Sequence, residues 1–567
     1  MFRSSFSDVC RRTSSSSQPY SYQQVYHGKF TFCKYRPILR PKYDDVYIEY
    51  GKYSDQFDKD VVIKPEHEFL EVICLDRNNH TFYANVHGFI TIKPHVEKRC
   101  NQSSEFFSKN HTTKEKFNVL LIGVDSVSRL NFLRNMIQTR DFLVNHLDAI
   151  EMSGYNKVGE NTFPNMVPLL TGKFVSELGW NNSMIHQPFD IYDYVWNNFS
   201  AAGYRTLFAE DNPSLALFRR KGFNNPPTDY YFKPLALSME KQSSLWNQGH
   251  CFTDRHETDI FLNYTSDFAE TFKDKPHFGF TFITRLTHND LDHARYADFI
   301  YVEFLRKIKS QGLLNNTILF FFSDHGLRFG DWRMTYIGKI EDRLPFSYLV
   351  LPEKFHQKYP KIVETIRKNS KRLTTTFDIH ETLNDILNFN SEVKPVASES
   401  TRGISLFQEI PQNRTCEHAG INPHCCLCME QTYVDKDSLL SLRIAEGVVS
   451  HINNILSSSQ LCANLSLESI SEIVKIQLND KVLSVDKQMY GSLIFNKNKV
   501  ISNEMYQMSL TTLPAHAAFE ATVNYNHNTK SVHVNGQVSR INAYGNQSIC
   551  VDNSMLRLYC YCKTNKD

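Results

Sequence analysis

Phe117-Asn118-Val119-Leu120-Leu121-Ile122-Gly123-Val124-Asp125 is a continuous apolar run that closes on a carboxylate. A second run, Thr317-Ile318-Leu319-Phe320-Phe321-Phe322-Ser323-Asp324-His325-Gly326, closes on an aspartate–histidine pair. Short runs that are apolar at every position read as strands buried on both faces, the pattern of a parallel sheet. Open α/β sheets bind ligands at the carboxyl ends of their strands, which is where both acids fall. Carboxylate oxygens and a neutral imidazole suit a divalent cation. The chain therefore reads first as a metal-dependent enzyme.

Outward from these runs, strands and helical patterns alternate across 116–400. A helix is expected through Arg129 to Leu147 and a strand at Tyr204 to Ala209. A helix around Asp259 to Phe272 leads to a strand at Phe278 to Ile283. A helix through Tyr301 to Ile308 leads to the second run. A strand at Phe346 to Leu351 and a helix around Pro360 to Asn369 follow. This alternation predicts an α/β fold with a doubly wound, mostly parallel sheet. Residues 1–27 form a Ser, Tyr and Gln-rich tail. Residues 28–115 read as a small β-rich module and linker, with runs such as Val46 to Tyr50 and Gly88 to Ile92. Residues 401–567 form a Cys-rich region, with a helix at Leu440 to Leu456 and strands at Phe519 to Tyr525 and Ser531 to Val534.

The net charge of +2 in 567 residues is too small to suggest nucleic acid binding. An aromatic content of 13% favours a folded chain. No apolar stretch approaches the roughly 18–20 residues that span a bilayer. Most of the 13 cysteines follow residue 415, at Cys416, Cys425, Cys426, Cys428, Cys462, Cys550, Cys560 and Cys562. Spread through loop-rich sequence, they predict disulfides; Cys425-Cys426-Leu427-Cys428 is too cramped for a zinc knuckle. Glycosylation sequons stand at Asn79, Asn101, Asn110, Asn181, Asn198, Asn263, Asn315, Asn413, Asn464 and Asn546. Both signals point to the extracellular space or the secretory lumen. Residues 1 to 30 hold Arg11, Arg12 and a serine run but no apolar leader, so a natural leader or anchor is expected ahead of them, with membrane contact only through it. Cys10 in the tail is the candidate odd cysteine.

Either aspartate alone reads equally well as a helix cap or a turn residue; both at strand ends, with His325 and Gly326 adjoining, favour metal. Asn161-Thr162-Phe163-Pro164-Asn165 places Pro164 in the first turn of a helix and Thr162 at or near its cap. Free amides there attract a phosphate or sulfate. Thr162 is thus either an ordinary cap or a nucleophile activated by a metal. Glu210 and Asp211, after the 204–209 strand, are weaker cleft candidates.

Asp125, the Thr-x-Pro turn and Asp324-His325-Gly326 stand in the order found in the alkaline phosphatase and sulfatase superfamily. More closely, the chain resembles the animal domain-of-unknown-function 229 family, a sulfatase-like branch. The stretches that carry the likeness are Gly123 to Phe132, Gly154 to Gly159 with Asn161 to Asn165, Ser323 to Gly330, Glu341 to Phe346 and Leu373 to Leu383. The resemblance implies one divalent ion (Zn, Mn, Mg or Ca) on Asp125, Asp324 and His325, with Thr162 completing its shell and attacking phosphorus or sulfur in line. Sulfatases need a Cys or Ser for conversion to formylglycine; Thr162 cannot give that aldehyde, and Met166 stands where their arginine would be. A phosphoester or phosphodiester hydrolase or phosphotransferase therefore leads, ahead of a sulfate ester hydrolase. The third reading is an inactive secreted protein that binds a glycan or protein. Two-metal members use Asp-x-x-x-His where this chain has Asn289 and His293, so a second site built from Asn289, Asp290, Asp292 and His293 is in doubt. His288 is expected to assist as an acid or a substrate contact, with His380 a further cleft candidate. Arg328 and Arg343 are candidate clamps for substrate anions. The expected substrate is a small-molecule, lipid-linked or glycan ester.

Overall fold

The computed structural model describes residues 30–563, apart from 59–60, 65, 110–114, 181–183, 185–186, 216, 220, 248–249, 393, 399 and 479–502. The expected tail and Cys10 lie outside these residues.

A seven-stranded sheet forms the centre, in the order Ile150–Glu151, Ser347–Val350, Thr317–Ser323, Asn118–Val124, His277–Ile283, Arg205–Glu210, Tyr230–Tyr231. The five strands from Thr317–Ser323 to Tyr230–Tyr231 are parallel; Ser347–Val350 runs against them, and Ile150–Glu151, antiparallel to Ser347–Val350, runs with them. The predicted strand near 346–351 therefore exists but runs against its neighbour. Strand alternation sorts the side chains into two layers. Val119, Leu121, Phe320 and Phe322 enter one core, and Leu120, Ile122, Leu319 and Phe321 enter the other. Every residue of the two central runs is buried, as a sheet covered by helices on both faces requires.

The single helix expected over 129–147 is instead Arg129–Asn135 followed by Ile137–Asp141 and a π turn, Phe142–His146. The break is imposed from a distance: the Asp298 carboxylate accepts from the amides of Gln138 and Thr139 and so caps a new helix.

An antiparallel sheet of Glu49–Tyr50, Phe30–Leu39, Phe69–Asp76 and Thr81–Gly88 packs on one flank. Val46 and Tyr47 do not extend its first strand, because Asp44 draws their amides into a turn. The run Gly88 to Ile92 is strand only at Gly88; Phe89 and Ile92 are exposed.

The C-terminal sheet runs Met429–Tyr433, Ser466–Leu478, Asn503–Leu513, Ala517–Asn526, Val532–Val534 and is antiparallel, with Ser539–Arg540 paired to the fourth strand. The helix Leu439–Leu456 covers one of its faces.

Disulfides join Cys33–Cys74, Cys416–Cys426, Cys462–Cys560 and Cys550–Cys562. Cys425 and Cys428 are free thiols. Among the described residues no helix is long and apolar enough to cross a membrane. Asn79, Asn101, Asn198, Asn263, Asn315, Asn464 and Asn546 are exposed and Asn413 is half-buried.

Candidate active site

The register of the sheet brings the two aspartates together. Ser323 pairs with Val124 across parallel strands, so the residues that follow, Asp324 and Asp125, emerge side by side. Asp125 does not cap the next helix; Ser128 does, accepting from the amide of Asn131. The Asp324 Oδ1 accepts from the amides of His325 (2.9 Å) and Ser126 (3.1 Å). Ser126 reaches this position with φ at 64°, an uncommon conformation for a residue with a side chain. Its hydroxyl also donates to Asp125 Oδ1 at 2.7 Å.

His325 Nε2 lies 3.1 Å from Asp324 Oδ2 and 3.9 Å from Asp125 Oδ1. Its Nδ1 is 2.8 Å from the Gly326 carbonyl. A carbonyl only accepts, so Nδ1 carries the proton and the Nε2 lone pair faces the carboxylates, the tautomer of a metal ligand. One ligand atom from each of Asp125, Asp324 and His325 falls within a 4.8 Å cluster. Asp125 Oδ2 and Asp324 Oδ2 are buried without a hydrogen-bond partner among the described residues. Burial, reinforced by the charge of Asp324, pushes the Asp125 carboxyl well above its usual range, and burial lowers His325. Two buried carboxylates with unused oxygens beside an imidazole lone pair fit a divalent cation.

Thr162 opens the helix Thr162–Thr171, with Asn161 as an N-cap whose side chain makes no capping bond. The first-turn amides are therefore left without that partner. Thr162 is half-buried, and its Oγ1 is 3.5 Å from His325 Nε2. Asn165 holds the approach to Thr162: its Oδ1 accepts from the amides of Val158 and Gly159, and its Nδ2 donates to the carbonyls of Gly159 and Asn161.

The loop after His277–Ile283 wraps the same end of the sheet. The Thr287 hydroxyl donates to the Asp125 carbonyl at 2.6 Å. Asp211 accepts from the amides of Thr284 and Arg285; burial and the charge of Glu257 push its carboxyl up to about 7. His288 is half-buried, with Nδ1 2.7 Å from Asn289 Oδ1. Burial lowers its pKa, and it senses the charges of Arg328 and Asp324. Asp125, Glu160 and His325 also sense Arg328. The Arg328 guanidinium makes no hydrogen bond among the described residues; it lies 4.8 Å over the Phe329 ring.

Other expected residues stand elsewhere. Asn289, Asp290 and Asp292 are exposed. His293 turns its Nδ1 to the Leu286 carbonyl, with Nε2 3.7 Å from Asp290. None of them joins the cluster of Asp125. His380 binds the Leu169 carbonyl through Nδ1 and abuts Gly172, two to three turns down the helix from Thr162. Arg343 is not a clamp: it is buried and committed to Glu520 and to the carbonyls of His424 and Lys339. Glu210 is likewise buried, bound to the Leu217 amide, and burial raises its carboxyl to about 8.

The sequence profile of a family described as "Protein of unknown function (DUF229)" matches residues 3–471. No curated protein matches the chain. Similar solved structures include a protein in the alkaline phosphatase superfamily from Vibrio parahaemolyticus, at 10% identity over 79% of this chain and 85% of that one, TM-score 0.36. The phosphonate monoester hydrolase SpPMH from Silicibacter pomeroyi matches at 12% identity over 73% and 90%, TM-score 0.37. The PsFucS1 sulfatase from Pseudoalteromonas sp. matches at 12% identity over 77% and 89%, TM-score 0.34.

Proposed function

The chain belongs to the DUF229 family, and from that premise and the convergence of Asp125, Thr162, Asp324 and His325 we propose a metal-dependent phosphoester or phosphodiester hydrolase, or a phosphotransferase. The observation that carries this reading is the Thr162 hydroxyl, half-buried at a helix start and 3.5 Å from His325 Nε2, an atom that also faces Asp125 and Asp324, whose Oδ2 atoms have no hydrogen-bond partner among the described residues. Asp125, Asp324, His325 and the Thr162 hydroxyl would hold a divalent cation, which supplies positive charge that lowers the hydroxyl's pKa and offsets negative charge in the transition state.

The chain's own residues carry the remaining steps. The Thr162 hydroxyl gives its proton to solvent water, and its oxygen bonds to phosphorus as the bond to the leaving oxygen breaks. His288 gives the leaving oxygen its proton. Burial keeps free His288 neutral, and the negative charge of a bound phosphoryl group raises its proton affinity, tying the acid to the substrate. The Arg328 guanidinium and the first-turn amides hold the non-bridging oxygens. Water, or an acceptor alcohol, then gives its proton to the now-neutral His288 and attacks phosphorus as the bond to the Thr162 oxygen breaks, freeing Thr162. Thr162 favours phosphorus over sulfur, because a threonine cannot become formylglycine. The disulfides and exposed sequon asparagines support the secretory lumen or the extracellular space as its compartment. The substrate class is a small-molecule, lipid-linked or glycan ester.

The test is bound metal per chain in the purified protein, with turnover of p-nitrophenyl phosphate, its bis-ester and p-nitrophenyl sulfate by wild type and Thr162→Ala. Phosphate or diester turnover that disappears in the variant is expected. Turnover of sulfate alone would transfer the reading to a sulfatase. No metal and no turnover would leave a binding protein.

A further inference from the structure

Glu520 sits on the strand Ala517–Asn526, and strand alternation divides that strand's side chains. Phe519, Ala521 and Val523 enter the core of the C-terminal sheet. Glu520 and Thr522 face the other way, toward the part of the chain that builds the candidate site. Glu520 is fully buried, and both its oxygens are taken by arginines from that part: Arg333 NH1 at 2.8 Å, and Arg343. Burial alone would raise the Glu520 carboxyl, but the two guanidiniums hold it well below the usual range.

The two arginines pass the connection inward. Arg333 also donates to Asp342 Oδ2 at 2.9 Å, and the Lys157 ammonium donates to both Asp342 oxygens, at 2.8 and 2.9 Å. Lys157 is in turn 3.7 Å from Glu160, two residues before Thr162. The backbone of the same segment holds both halves of the site. The Gly326 amide donates to the Asp342 carbonyl, fixing the residue after His325, and the Lys157 amide donates to the Arg343 carbonyl. Arg333, Arg343 and Lys157 balance Glu520, Asp342 and Glu160 in charge. The C-terminal sheet and the central sheet keep separate apolar cores, and this buried polar network joins them alongside the Lys339–Glu472 pair, the His424 hydrogen bonds to Thr522 and Ser539, and the Phe329–Tyr544 ring contact.

We infer that Glu520 is a positioning residue of the candidate site, and that the C-terminal sheet is part of the catalytic unit rather than an appendage. This rests on the reading of Asp125, Thr162, Asp324 and His325 as a metal and nucleophile site. Removing the Glu520 charge leaves two buried guanidiniums with one carboxylate between them. The segment 333–343 then shifts, and Gly326 and Lys157 shift with it.

The experiment uses the full chain, with Mn2+ as the metal probe and p-nitrophenyl phosphate as the substrate. Glu520→Gln is compared with Val523→Ala, which opens a cavity in the C-terminal core of the same strand without touching the network. Both should melt below wild type. Glu520→Gln should bind Mn2+ at least about tenfold more weakly and lose at least about tenfold in kcat with little change in KM, as losses behind metal ligands do. Val523→Ala should keep Mn2+ affinity and kcat within about twofold. If Glu520→Gln does not fold, Glu520→Asp, which keeps the charge but shortens its reach to the two guanidiniums, should lose Mn2+ affinity and kcat in the same sense and by less. The inference is overturned if the Glu520 variant keeps wild-type Mn2+ affinity and kcat, or if Val523→Ala loses them equally. Wild type that binds Mn2+ but turns over no ester sinks the proposed reaction and leaves Mn2+ affinity to decide the role of Glu520.

Discussion

The Thr162 hydroxyl and the His325 Nε2 lie 3.5 Å apart although 163 residues separate them in the chain. The contact has two independent causes. His325 follows a central strand whose register puts Asp324 beside Asp125. Thr162 is delivered by a turn that Asn165 ties back on itself. His325 in turn faces Asp125 and Asp324, whose Oδ2 atoms have no hydrogen-bond partner among the described residues.

Thr162→Ala should abolish turnover, by about a thousandfold or more, because nothing else in the cluster offers a hydroxyl at the helix start. Thr162→Ser should retain a measurable part of it. Metal content should change little in either, since three ligands remain. Steady-state kinetics with metal analysis separates these outcomes; an active Thr162→Ala enzyme would move the nucleophile elsewhere.

His288→Ala should hurt poor leaving groups most. A nitrophenolate leaves without a proton, whereas an alkoxide needs one. The variant is expected to lose about 10- to 100-fold on an alkyl phosphate and much less on p-nitrophenyl phosphate. Equal losses on both would mean that His288 binds substrate rather than protonating the leaving oxygen.

The residues that were legible in the sequence are those whose evidence is local. Asp125 and Asp324 each close an apolar run, and Pro164 marks the helix start beside Thr162. What stayed hidden depends on distant partners. Lys157 meets Asp342 across 185 positions and Arg343 meets Glu520 across 177, so Arg343 read as an anion clamp or a surface ion pair when its pair is a buried one. Ser126 carries no sequence mark of its left-handed backbone. The long helix expected after Asp125 failed for the same reason, because the carboxylate that interrupts it belongs to Asp298, on another helix.

Gly326→Ala should disable the site without touching a ligand. A methyl group at Gly326 would overlap the Glu341 carbonyl and crowd Asp342. Backbone cannot yield as the end of a side chain can, so the Asp324–His325 turn must move. The expected outcome is metal affinity reduced at least about tenfold in a protein that still shows a cooperative melt. Wild-type metal binding in Gly326→Ala would show that the turn has slack that the structure does not.

Acid should loosen the junction that Glu520 crosses. His424 is buried there, with Nδ1 2.9 Å from the Thr522 hydroxyl and Nε2 2.8 Å from the Ser539 hydroxyl. Burial lowers its pKa from 6.5 to about 4. The unfolded chain therefore takes up a proton below 6.5 that the folded one refuses until about 4. The stability His424 confers is complete above 6.5 and declines as pH falls to about 4, a loss on the order of 3 kcal/mol at most. His87 and His277, which burial also lowers to about 4, decline in the same window, so the measurement is a difference. Melting curves of wild type and His424→Gln between pH 7.5 and pH 4 should converge as the pH drops, because glutamine keeps a donor and an acceptor for the two hydroxyls but has no proton to gain. Parallel curves would assign the acid sensitivity to the other histidines.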